Sequence, residues 1–201
     1  MAGLAKAQAP RVEERILAST MEIIGERGLE AVTHRSVARK AGVSLGAISH
    51  HFPTRADLLS STLEHAAEVE VARLERLALA LQSQAFERSS WVHAMAAALG
   101  GDLKRDPVRH LAQYELLLAC ARDPRLRELS RAWREAHLRV SEVGLRAAGS
   151  NDPDAHAQLL TAAVTGLLLK QLAYPEPNFT ACVLEPLLDQ LTAALVAPAA
   201  V

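Results

Sequence analysis

Three Asp-Pro pairs constrain this chain more than any other feature: Asp106-Pro107, Asp123-Pro124 and Asp152-Pro153. An aspartate can accept hydrogen bonds from the free amides of a first helical turn. Proline at the first helical position gives up an N–H that has no partner there. Each pair is therefore a helix start. With Pro175-Glu176-Pro177 as a break, they divide the second half into helices near 107–121, 124–148, 153–173 and 178–196. Pro186 falls inside the last of these and should kink it or start it afresh.

The first half carries the same punctuation. Val12, Ile16, Leu17, Met21, Ile23 and Ile24 lie largely on one face of a helix from Arg11 to Arg27, which Gly28 ends. Thr33 caps a second helix holding Val37 and Ala38, ended by Gly42. Ser44 caps a short third one through His50 or His51, broken by Phe52-Pro53. Thr54 with Asp57 forms a capping-box start for a long helix near 54–84, and another follows near 87–103. No strand-like alternating run of useful length occurs. The expectation is an all-α chain of about nine helices.

At 201 residues and 50% hydrophobic, the chain can bury a sizeable core in one domain or two small ones. Its net charge of −1 hides an asymmetry: residues 1–60 hold eight Lys/Arg against six Asp/Glu, and residues 61–201 hold fourteen against seventeen. The N-terminal part is the better candidate for a polyanion. Cys120 and Cys182 are too few for a disulfide framework and lack paired zinc ligands, so they read as reduced thiols. No apolar run approaches the ~18–20 residues of a membrane span. The opening MAGLAKAQAP lacks the apolar core of a signal peptide. A flexible arm over 1–10 and a cytoplasmic protein without a membrane partner are expected.

The stretch Thr33–Arg55 carries four Lys/Arg and no carboxylate. Ala38 is small where two helices cross, Gly42 supplies the turn, and Val43 and Ile48 fill the interface. That is what a helix-turn-helix needs to rest on phosphates and place one helix in the major groove. Thr33, His34, Arg35, Ser44, Leu45, Ala47, Ser49, His50 and His51 remain for the exposed faces. Basic groups attract phosphates, and Ser, Thr and His can hydrogen-bond phosphates or base edges. His50 and His51 are adjacent and point to different sides of a helix, so they cannot chelate one ion, and no metal is expected.

The order of these residues resembles the tetracycline-repressor (TetR) family of bacterial transcription regulators. The resemblance is carried by Thr33, Arg35, Val37, Ala38, Ala41, Gly42, Val43, Ser44, Gly46, Ile48, His51 and Phe52, with Arg55 where the family usually has Lys. It covers about residues 11–60. Beyond them only helix count and lengths agree. One departure stands out: the family's recognition-helix Tyr, a phosphate contact, is Ser49 here, followed by His50. The resemblance implies a DNA-binding domain at 11–53 and an effector-binding and dimerisation domain at 54–201. It also implies a homodimer that reads a two-fold operator in double-stranded DNA with one recognition helix per half-site. On this reading Arg35, Lys40 and Arg55 supply salt-sensitive affinity. Ser44, Leu45, Ala47 and His50 lie nearest the bases, and Thr33, His34, Gly46, Ser49 and His51 complete the contact set. Arg39 either helps or is a solvated charge. Lys6 and Arg11 either touch the flanking DNA or are simply solvated.

The body contains no G-x-S-x-G, no His-x-x-x-His, no Gly-rich phosphate loop and no C-x-x-C. Neither an enzyme nor a cofactor is expected. Trp91, Met95, Gln113, Tyr114, Leu117, Trp133 and His137 are the candidates for a small-molecule effector site. Leu160, Val164, Leu167 and Leu168, with Leu184, Leu187, Leu188, Leu191 and Leu195, form two apolar stripes that suit a four-helix dimer interface. The reading is a ligand-responsive regulator, taken as a repressor released by its effector. The alternative is a helical small-molecule-binding protein, or an enzyme, with a vestigial helix-turn-helix. An enzyme would have only His93 or His137 with Glu115 or Glu135 as raw material.

Overall fold

The computed structural model describes residues 11–82 and 87–196. The expected arm at 1–10, Lys6 included, and the 83–84 end of the first long helix lie outside the described residues. The chain runs α1 (Val12–Arg27), a 3-10 turn (Leu29–Ala31), α2 (His34–Ala41), α3 (Leu45–His51), α4 (Arg55–Gln82), α5 (Arg88–Arg105) and α6 (Pro107–Arg122). It continues through α7 (Pro124–Leu129), α8 (Arg131–Ala147), α9 (Pro153–Ala173), a π-helical turn (Thr180–Leu184) and α10 (Glu185–Val196). No strand occurs among the described residues.

The capping chemistry read from the sequence is realised atom by atom. Asp106 accepts from the Arg109 amide, Asp123 from Arg125 and Asp152 from Ala155, each ahead of its Pro. Thr33 accepts from the Ser36 amide at 3.0 Å and Ser44 from Ala47 at 3.1 Å. Thr54 and Asp57 exchange hydrogen bonds of 2.9 and 3.1 Å across the start of α4. Each such cap is worth roughly 1 kcal/mol.

Two elements differ from expectation. The helix expected near 124–148 is two, α7 and α8, which raises the count to ten α-helices among the described residues. The break is at Ser130, whose hydroxyl donates to the Arg127 carbonyl at 2.9 Å and competes with the backbone ladder there. The last helix begins with the wide π turn and starts afresh at Glu185, so Pro186 sits in a first turn where its missing amide costs little.

Two apolar cores organise the packing. The first joins Ile16, Ile23 and Ile24 of α1, Val37 and Ile48 of the next two helices, Leu58 and Leu63 of α4, and Ala112, Leu116 and Cys120 of α6. The second gathers Leu74, Trp91, Met95, Leu145, Leu160, Leu168, Leu184 and Leu188. Residue 53 therefore ends the motif but not its core, which extends into α4 and α6. Gly25 allows α1 to lie directly on the start of α6: a Cβ there would sit 2.0 Å from the Val108 carbonyl oxygen.

Candidate functional site

The putting-together of α2 and α3 depends on Gly42, which takes the left-handed conformation (φ 65°, ψ 39°) with its amide on the Ala38 carbonyl. Only glycine enters that region freely. Ala38, Val37 and Ile48 are buried between the helices. The outer side of α3 is left to solvent: Ser44, Gly46, Ser49, His50 and His51 are exposed, Leu45 is 49% exposed, and Ala47 is half-buried. Thr33 is exposed at the α2 cap.

The basic residues of the motif divide into two kinds. Lys40 lies 2.9 Å from Glu22 and 2.7 Å from Glu26 of α1, and its pKa is held above the usual lysine value by the hydrogen bonds to Glu26 and then Glu22. Arg55 spends its guanidinium on the carbonyls of Val32 (2.9 Å) and Leu29 (2.7 Å). His34, half-buried, donates from Nε2 to the Phe52 carbonyl at 2.7 Å and so ties the start of α2 to the end of α3. These three, expected at the DNA, are engaged within the motif. Arg35 and Arg39 are exposed, and their side chains make no ion pair or hydrogen bond among the described residues. Sequence reasoning missed Arg15, which caps the C-terminus of α2 by donating to the Ala41 carbonyl at 2.5 Å.

A cavity of about 520 Å³ opens among α4, α5, α6, α8 and α9. Of the seven effector candidates, Met95, Gln113, Tyr114, Leu117, Trp133 and His137 line it. Trp91 does not: it is 5% exposed and packs its indole against Gly144 in the second core, so the large apolar ring is spent on helix packing. The Tyr114 hydroxyl donates to the Thr165 carbonyl at 2.8 Å, and burial pushes its pKa up to about 12.

The leucine stripes need correction. Leu160, Leu168, Leu184 and Leu188 are buried within the chain itself, and Leu160, Leu168 and Leu188 also line the cavity. Val164, Leu167, Leu191 and Leu195 pack against the second core, and Leu187 is half-buried. The α9 helix is apolar nearly all round, so one side goes inward while the other stays out. The outward side carries Leu159 (59% exposed), Ala162, Gly166, Leu169 (45% exposed) and Ala173, spaced three and four apart.

Polar residues that no motif announced form a half-buried network on one wall of the cavity. Glu70 of α4, with its side chain 2% exposed, accepts from Arg73 at 3.0 and 2.6 Å and from Arg109 of α6 at 3.1 Å. Arg109 also reaches Asp102 of α5 at 2.5 Å, and His110 lies 3.3 Å from the same carboxylate. Burial alone would raise both acids, but Arg73 around Glu70, and Arg109 with Arg73 around Asp102, outweigh it and hold both below the usual carboxylate values. Burial keeps His110 and His137 below the usual imidazole value, and the Arg109 charge adds to the effect at His110. His137 bonds Nδ1 to the Trp133 carbonyl at 3.1 Å, which leaves Nε2 3.7 Å from Glu70.

An all-helical body with a deep cavity, and a helix-turn-helix sharing its core, define a class of one-piece regulatory proteins. Residues 86–197 match the family model described as the tetracyclin repressor-like C-terminal domain, and residues 16–62 match that of bacterial regulatory proteins of the tetR family. The chain belongs to the TetR family. Among curated relatives it is 40% identical over 67 residues to the transcriptional repressor KstR of Mycolicibacterium smegmatis, covering 33% of each chain. It is 32% identical over 99 residues to the regulator BetI of Escherichia coli, covering 49% of this chain and 48% of that one. The alignments thus span about a third to a half of the curated relatives. A transcriptional regulator from Rhodococcus sp. Rha1 superposes with a TM-score of 0.74 at 26% identity, over 92% of this chain and 95% of the other. The multidrug binding protein EbrR, complexed with ethidium, superposes with a TM-score of 0.68 at 28% identity, over 94% and 100%.

Proposed function

We propose that this protein is a ligand-responsive transcriptional repressor that grips a two-fold operator as a homodimer and lets go when a small molecule fills the cavity. The observation that carries the reading is the double membership of α6. Its Ala112, Leu116 and Cys120 sit in the core of the DNA-reading motif, while its Gln113, Tyr114 and Leu117 line the cavity. A ligand that fits one placement of α6 better than another therefore changes where α1 and the motif sit. Only such a difference in affinity between two states can regulate.

On the DNA side, Arg35 and Arg39 supply the free charge and the exposed face of α3 reads the bases. Lys40, Arg55 and His34 hold the motif in shape. Ser49 and His50 occupy the place of the family's usual tyrosine. The outward side of α9 supplies the self-complementary apolar surface for a two-fold pair. We assign no catalytic role. No cluster of metal-binding side chains occurs among the described residues, nor any helix long and apolar enough to cross a membrane, and the proposal places the protein in the cytoplasm with DNA.

The test is a footprint on the DNA flanking the protein's own gene. Protection of a two-fold repeat, weakened by salt and by Arg35→Ala, supports the proposal. Binding without sequence preference overturns it. Leu169→Glu should convert a sedimenting dimer to a monomer, and a wild-type monomer at micromolar concentration would remove the dimer.

A further inference from the structure

The charge around the cavity narrows the ligand, on the footing that the cavity is the effector site. Glu70 is the one carboxylate among the described lining residues, and its two oxygens are already taken by Arg73 and Arg109. A cationic ligand would enter a low-dielectric site and meet no unspent negative charge, a costly transfer. The positive side is different. Arg127 and Arg134 line the end of the cavity formed by the close of α6, α7 and the start of α8. Arg127 donates only to the carbonyls of Cys120 (3.4 Å) and Ala121 (3.3 Å). The Arg134 guanidinium has no ion pair or hydrogen bond among the described residues. The opposite end is walled by Leu74, Leu99, Val140 and Leu188.

We infer that the cavity takes an amphipathic organic anion, with its carboxylate at Arg134 and Arg127 and its apolar body running inward toward Leu188. A guanidinium suits this role because it stays charged and offers a fork of donors matched to a carboxylate. The neutralised Glu70 network then serves as a polar wall rather than a counter-ion for the ligand.

The test uses the full chain and three probes with one alkyl body, below their micelle concentrations: decanoate, decan-1-ol and decyltrimethylammonium, followed by calorimetry. Decanoate should bind about tenfold tighter than the cation, as expected for a desolvated charge with and without a partner. Arg134→Gln should weaken decanoate about fivefold, the upper range for an exposed pair, while leaving decan-1-ol unchanged. Arg134→Lys should recover most of the loss. Equal or tighter binding of the cation, decan-1-ol matching decanoate, or Arg134→Gln weakening acid and alcohol alike would each overturn the inference. So would the binding of no probe at all. Release of DNA by decan-1-ol without any preference for the anion would sink this inference while leaving the regulator reading intact.

Discussion

Replacing Glu70 by Gln tests whether the buried ion network holds the body together. Glutamine keeps the shape but turns one acceptor oxygen into an amide donor. That places donor against donor at a site where guanidinium nitrogens stand 2.6–3.1 Å from the carboxylate. Breaking a fully buried ion pair by removing one partner costs roughly 3–5 kcal/mol. Here the Arg73 and Arg109 side chains are 24% and 23% exposed, and both keep Asp102 within 3.5 Å, so water and the remaining carboxylate recover part of the loss. The expected cost is about 2 kcal/mol, discounted for that screening. In a chain of this size it lowers the melting midpoint by about 4–8 °C. Urea unfolding at pH 7 measures it. The gap between wild type and variant should then narrow as pH falls. Glu70 has a folded pKa below its ordinary 4.5, so its contribution is complete above that value and disappears as the carboxylate protonates. A change below about 0.5 kcal/mol at pH 7, the range of ordinary surface substitutions, would refute the reasoning.

Three further outcomes are expected. Gly25→Ala should destabilise by roughly 1–3 kcal/mol, an overpacking cost, because its Cβ meets the Val108 backbone at 2.0 Å and α1 must part from α6; unchanged thermal unfolding would contradict this. His110 and His137 have folded pKa values below their ordinary 6.5, so the unfolded chain binds more protons than the fold below that point. Stability should be complete above about pH 6.5 and decline as pH drops through the two folded values, with a shallower decline in His137→Gln, read from denaturation midpoints across pH. Finally, Arg35→Ala should reduce the salt slope of operator binding by about one per half-site. Arg55→Ala should lower the thermal midpoint with the slope kept, and an equal loss of slope in both would show that Arg55 also meets phosphate.

Helix starts were legible because capping is local chemistry: Thr33, Ser44, Asp106, Asp123 and Asp152 each satisfy amides two or three residues away. The break at Ser130 escaped notice because serine in a helical run is common and neither Pro nor Gly marks the spot. The ion network was illegible for another reason. Glu70, Asp102 and Arg109 stand on three helices, and each looks like a solvated helix charge until tertiary packing brings them together. Burial likewise sorted the leucines of α9, since a helix apolar on every side has no preferred face in the sequence. Six of the seven cavity candidates were found because aromatic and polar groups cluster in the middle helices; Trp91 shows that the same signal also marks ordinary core.

The shared first core also bears on engineering. Regulators are often imagined as heads on bodies, to be recombined at will. Here a graft cut at residue 53 would carry Ile16, Ile24 and Ile48 into a new body without Leu58, Leu63, Ala112, Leu116 and Cys120, the side chains that cover them. A working chimera must transplant the start of α4 and the inner side of α6 along with the motif, and with that inner side comes the helix that walls the donor's own cavity.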